Sequence, residues 1–284
     1  MKRQQLYLTI AGVTLLSLLF IFGTTVAKKS ESPESGNMQP GKKVFNIEQY
    51  AQLARQKLSV QQANFINGLE NSVSRGDVKT QQDRVFTQLA NYWKDNLDNH
   101  ELYVFYISKA ALLVNTEKNL TFAARQILAE VKREDDPSIK GWKAEQAISL
   151  FEKAVVVNPL SDSLKVELAS CYVYGKGMAG DAQETMKGIQ QLLQVVRKDS
   201  ANMQAQLVLG IGGIISTQYD KGIQRLETVI KNQPSNMEAI TWLAEGYEAK
   251  GDKLNAIKWY EYSKRIANNP KYTKEVDSHI RQLK

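Results

Sequence analysis

The chain has 284 residues, one cysteine, two histidines and a formal charge of +7. Lys2, Arg3, Lys28, Lys29, Lys42 and Lys43 against Glu31 and Glu34 place +4 of that charge in residues 1–45, and the +3 left over is too weak a field for a nucleic-acid surface. Cys171 alone excludes an intrachain disulfide. His100, His279 and Cys171 are too scattered for a zinc site or an activated nucleophile, so no catalytic, cofactor-binding or metal residues are expected.

In chain order, a short tip (1–5) carrying Lys2 and Arg3 precedes an uncharged apolar run, Leu6–Ala27. At 1.5 Å per residue such a helix spans roughly 33 Å, enough for a bilayer core. The run is therefore expected to be a retained transmembrane anchor in an inner (cell) membrane, N-terminus cytoplasmic and the remainder extracytoplasmic. Lys28 and Lys29 weaken this orientation without reversing it. Thr25-Val26-Ala27 is a small-x-small sequence, and cleavage there, giving a secreted or periplasmic protein, is the alternative. Residues 28–45, rich in Ser, Pro, Gly and charge, read as a flexible linker.

From Asn46 the pattern turns helical and stays so. "NIEQ" and "SVQQ" are capping-box-like starts, and apolar residues recur at three and four, as in Phe65, Ile66, Leu69 and Val73. No alternating strand run appears. The fold class is all-α, with 46–138 an N-terminal helical region. Arg75-Gly76-Asp77 reads as a helix terminus followed by a new start, and the sequon Asn119-Leu120-Thr121 lies in a helical pattern.

Beyond Ile139 the chain repeats. "AISLFEKAVVVNP", "GIQQLLQVVRKDS", "GIQRLETVIKNQP" and "AIKWYEYSKRIANNP" each place a small residue four before a bulky one (Phe151, Leu192, Leu226, Tyr260). Gly188, Gly222 and Ala256 are 34 residues apart, whereas Ala147 precedes Gly188 by 41. Upstream stand the pairs Leu168-Ala169, Leu209-Gly210 and Leu243-Ala244. This resembles the tetratricopeptide repeat (TPR), two antiparallel helices per unit, with proline closing the second helix. The resemblance covers about 139–270 as a TPR array, with 271–284 a capping helix. Leu128-Ala129 is a candidate opening of an earlier unit whose loop carries the insert "REDDPSIK".

"GKGMAG" is a formal G-x-G-x-x-G, but helix precedes it and no strand feeds it, so a dinucleotide site is not expected. The surplus of seven residues marks an enlarged turn outside the packed core. Gly175, Lys176, Gly177, Met178 and Gly180 are its candidate partner contacts.

The resemblance implies a concave groove lined by first helices. Here that places Ser163, Val166, Glu167, Ser170, Tyr174, Gln204, Leu207, Ile211, Ile214, Glu238, Thr241, Trp242, Glu245 and Glu248 in it. Those faces lack the Lys, Arg and Asn of carboxylate-clamping co-chaperone TPRs. The expected function is a non-enzymatic, membrane-anchored adaptor that binds a protein or peptide of an envelope complex, with no cofactor, nucleic acid or small-molecule substrate. Chaperone-like capture of newly translocated chains is the alternative, and an enzyme on a helical scaffold has no supporting constellation.

Overall fold

The computed structural model describes residues 44–75 and 79–284. The proposed anchor, all but the end of the linker, and Gly76-Asp77 lie outside them. No helix among the described residues is long and apolar enough to cross a membrane.

Those residues form α-helices joined by short turns, with no strand. In order they are α1 (Ile47–Gln56), α2 (Val60–Arg75), α3 (Lys79–Asn91, continued by a π-helical turn, Tyr92–Asn96), α4 (His100–Val114), α5 (Glu117–Arg133) and α6 (Pro137–Val157). There follow α7 (Asp162–Ser170, continued by a π-helical segment, Cys171–Gly177), α8 (Ala182–Lys198), α9 (Met203–Ile215), α10 (Tyr219–Asn232), α11 (Met237–Lys250), α12 (Lys253–Ala267) and α13 (Pro270–Leu283).

The starts are written locally. Ser59 and Gln62 close a reciprocal capping box, Ser59 N donating to Gln62 Oε1 at 2.9 Å and Gln62 N to Ser59 Oγ at 3.3 Å. Asn99, Asp136, Asp181, Asn202, Asn236 and Asp252 each accept from a backbone N–H of the first turn that follows. Asn115, Gly251 and Asn268 end α4, α11 and α12 in the left-handed conformation.

Helices pair antiparallel as α3/α4, α5/α6, α7/α8, α9/α10 and α11/α12, and successive hairpins stack. The repeat residues make the contacts. Phe151, Leu192, Leu226 and Tyr260 are buried between helices, as are Leu168-Ala169, Leu209-Gly210 and Leu243-Ala244. A Cβ on Gly213 would lie 2.8 Å from the Gly222 Cα, so α9 and α10 approach with no side chain between them.

Three expectations are corrected. The boundary at residue 139 falls inside α6, because the hairpin α5/α6 already has the repeat architecture, and its turn is only Glu134–Asp136. The rest of the insert winds into α6, capped by Asp136 with Pro137 in the first turn. Pro270 does not close α12; it opens the capping helix α13 behind the N-cap Asn269. The seven surplus residues are not an enlarged turn. Two lengthen the first helix as far as Gly177, three extend the start of α8, and two remain in the turn 178–181.

Candidate partner-binding groove

The first helices α5, α7, α9 and α11 share the inner side of the array. Of the residues expected there, Val166, Ser170, Tyr174, Leu207, Ile211 and Ile214 are buried. Ser163, Gln204 and Glu245 are exposed, while Glu167, Glu238, Thr241, Trp242 and Glu248 are half-buried. Trp242 packs against the main core. The inner side of the middle units is therefore filled by its own side chains.

A contact across that side explains the closure. Lys132 Nζ, at the end of α5, lies 2.8 Å from Glu238 Oε1 and 3.1 Å from Oε2, in the first turn of α11. Between them the Tyr174 hydroxyl donates to Glu238 Oε1 at 2.8 Å, and Lys132 Nζ sits 4.2 Å from the Tyr174 ring centroid. Burial, then the neighbouring Glu238 carboxylate, pushes the Tyr174 phenol well above its ordinary value, so it stays a donor. Tyr174 arrives there on the π-helical segment, which advances the register relative to an α-helix.

The other acids are also engaged. Arg125 Nε donates to Glu167 Oε1 at 2.7 Å. Glu248 Oε2 accepts from the Tyr260 hydroxyl at 2.8 Å and lies 2.7 Å from His279 Nε2 on α13. Burial would raise the Glu248 carboxyl, but hydrogen bonds from His279 and Tyr260 outweigh it and hold it below its usual value. Only Glu245 presents an exposed acid on this side of α11.

The glycine-rich segment divides. Gly175 is buried, and a side chain on it would collide with Ala144 of α6. Lys176 pairs with Glu145, and a Cβ on Gly177 would meet Thr185 Oγ1 at 3.0 Å. Met178 and Gly180 are exposed in the turn, Gly180 with a φ of +81°. Gly175 is thus a packing position, whereas Gly177 is half-buried against Thr185.

What stays open lies nearer the N-terminus. A cavity of about 1040 Å³ is lined by α3 (Asp83, Thr87), α4 (Ile107, Ala110, Ala111), the first half of α5 and the start of α7. Its floor is apolar. Phe122, 59% exposed, and Arg125, bonded to Glu167, also line the cavity. Thr121 Oγ1 is buried in its lining with no hydrogen-bond partner among the described residues. Of the expected groove residues only Ser163 lines this cavity. Asp83, Thr87, Thr121, Phe122 and Arg125 were missed because the repeat signature is faint before Ile139. A phenylalanine on a polar helix face was the available signal.

No family model matches the chain, and no curated protein matches it. Among solved structures, a MamA protein is similar over 66% of this chain and 93% of its own, at 17% identity and a TM-score of 0.41. YrrB, described as a TPR protein with an unusual peptide-binding site, is similar over 74% of this chain and 97% of its own, at 13% identity and a TM-score of 0.42. A tetratricopeptide repeat protein from Parabacteroides merdae covers 79% and 98%, at 12% identity and a TM-score of 0.37. These are distant likenesses of helical architecture.

Proposed function

We propose that this chain is a TPR-type, non-enzymatic adaptor that binds a segment of a protein partner in the open cavity of its first hairpins. The observation that carries this is the cavity's make-up: an apolar floor, an exposed Phe122 in the lining, and an unpartnered, buried Thr121 hydroxyl on first-helix faces. A buried hydroxyl left unpaired costs about 1–3 kcal/mol, and a peptide backbone group supplies the missing bond. We further propose that residues 6–27 anchor the adaptor in a cell membrane, with the helical array outside the cytoplasm and its partner part of an envelope complex. The uncharged run behind Lys2-Arg3 supports that orientation.

A photo-cross-linking residue placed at Phe122 in native membranes is expected to trap one protein partner. The same residue at Val156, 80% exposed on α6, should trap none, and Thr121→Arg should abolish the Phe122 adduct. Equal adducts at both positions would remove the cavity as the site. External protease should digest 46–284 while the N-terminus of the mature chain stays near Met1; a new terminus at Lys28 would mean a secreted protein.

A further inference from the structure

A second cleft, of about 510 Å³, lies between the second helices α8 and α10, over a floor from α9. It shares no lining residue with the cavity above, and its α9 residues, Leu209, Gly213 and Ile215, differ from the buried inner-side residues Leu207, Ile211 and Ile214. One wall is an apolar stripe on α8: Met186, Ile189 and Leu193, spaced three and four. Met186 is 46% exposed, a large apolar side chain left facing water.

The opposite wall is cationic. Lys221 and Arg225 stand one turn apart on α10, and among the described residues no carboxylate lines the cleft. Lys221 is exposed, and among the described residues its ammonium reaches only Gln218 Oε1, at 3.0 Å. Arg225 is half-buried, and its guanidinium donates to a neutral amide, Gln206 Oε1, at 2.6 Å. Burial draws that guanidinium below its ordinary value. A half-buried cation facing an amide is stabilised when an anion arrives, because charge-assisted bonds are about twice as strong as neutral ones.

From these walls we propose that the cleft is a docking site for an acidic amphipathic helix of a protein partner. The stripe on α8 follows helical spacing over two turns, about 10 Å, which suits a helix laid along it. The occupant's apolar residues would cover Met186, Ile189 and Leu193, while glutamates or aspartates on its flank would pair with Lys221 and Arg225. The site shares no residue with the groove proposed above, so the adaptor would hold two partners at separate sites. Failure of either site leaves the other standing.

The test uses the full-length chain in nanodiscs and a labelled, side-chain-stapled helical peptide of about 14 residues, with leucines at three-and-four spacing and two flanking glutamates. Anisotropy is expected to show saturable binding, weakened at least about tenfold by Met186→Asp or by Lys221→Glu. Both positions are exposed, so neither change threatens the fold. A peptide with lysines for glutamates should bind wild type poorly and recover on Lys221→Glu. Binding indifferent to both substitutions would overturn the proposal. So would displacement of the peptide by dodecanoate at equal concentration, which would mark the cleft as an acyl-anion site.

Discussion

Lys143, on α6, is buried with its ammonium 3.0 Å from Glu101 Oε1 and 2.6 Å from Glu134 Oε2, and Glu101 Oε2 accepts from the Tyr50 hydroxyl at 2.8 Å. One lysine thus ties α1, α4, the end of α5 and α6 together. Lys143→Met would leave two half-buried carboxylates without their cation, and removing one partner of a fully buried pair costs roughly 3–5 kcal/mol, so a loss of about 2–4 kcal/mol is expected. Urea unfolding should show the midpoint falling accordingly; a change under about 1 kcal/mol would mean that water reaches the acids freely. Burial would raise the Glu101 carboxyl, but the Tyr50 hydrogen bond and Lys143 hold it lowered. A carboxylate with a depressed folded value contributes stability that is present above its unfolded value, about 4.3, and is lost as the pH falls through the folded value. Glu101→Gln should therefore lose stability at neutral pH and show a flatter acid limb. An unchanged acid limb would show that Glu101 gains nothing from its partners.

At the scale of elements, the π-helical segment Cys171–Gly177 governs the inner surface, because it brings Tyr174 to Glu238 and seats Gly175 against Ala144. Deleting seven residues across 175–181 would restore the 34-residue spacing yet remove both contacts. The deletion is expected to lower the melting temperature by about 5–10 °C, since a Tyr174 hydroxyl left without its acceptor and a lost helix contact each cost on the order of 1 kcal/mol or more. An unchanged melting curve in differential scanning calorimetry would show the segment to be dispensable. The surplus of seven was legible in the spacing, but its destination was not. A residue count does not distinguish a longer turn from longer helices, and "VYGKG" carries the glycines of a turn. The repeat itself was legible because Gly188, Gly222 and Ala256 lie at helix contacts where only small residues fit, a local demand that leaves a periodic trace. The hairpins before Ile139 left no such trace. There Trp93, Leu120 and Ile127 are among the large buried side chains, and the open cavity stayed hidden with them.

For the whole array, the contact Lys132–Tyr174–Glu238 breaks the usual rule of solenoids, in which each repeat touches only its neighbours and stability is a sum of adjacent terms. Here the end of α5 reaches the start of α11, three hairpins on. Such a closure depends on rotation accumulated from unit to unit, so no single repeat encodes it, and Glu238 read in the sequence as an open groove acid. Its energetic worth is divided. Lys132 and Glu238 are each about a third exposed, so their ion pair contributes roughly 0.2–1 kcal/mol, whereas the buried Tyr174 hydroxyl needs its acceptor. Glu238→Gln, which keeps an acceptor oxygen, should therefore cost under about 1 kcal/mol, and Glu238→Ala about 1–3 kcal/mol. Local opening should change more than global stability. With the closure intact, α11 and α12 open only together with the inner face of α5 and α7. Once it is removed they can fray from the C-terminal end. Native-state hydrogen exchange of Glu238→Ala should show amides of α11 and α12 exchanging at least about fivefold faster, with those of α5 and α6 nearly unchanged. Uniform acceleration along the array would mean that the repeats are coupled through their stacked faces alone, and that the cross-groove contact is incidental.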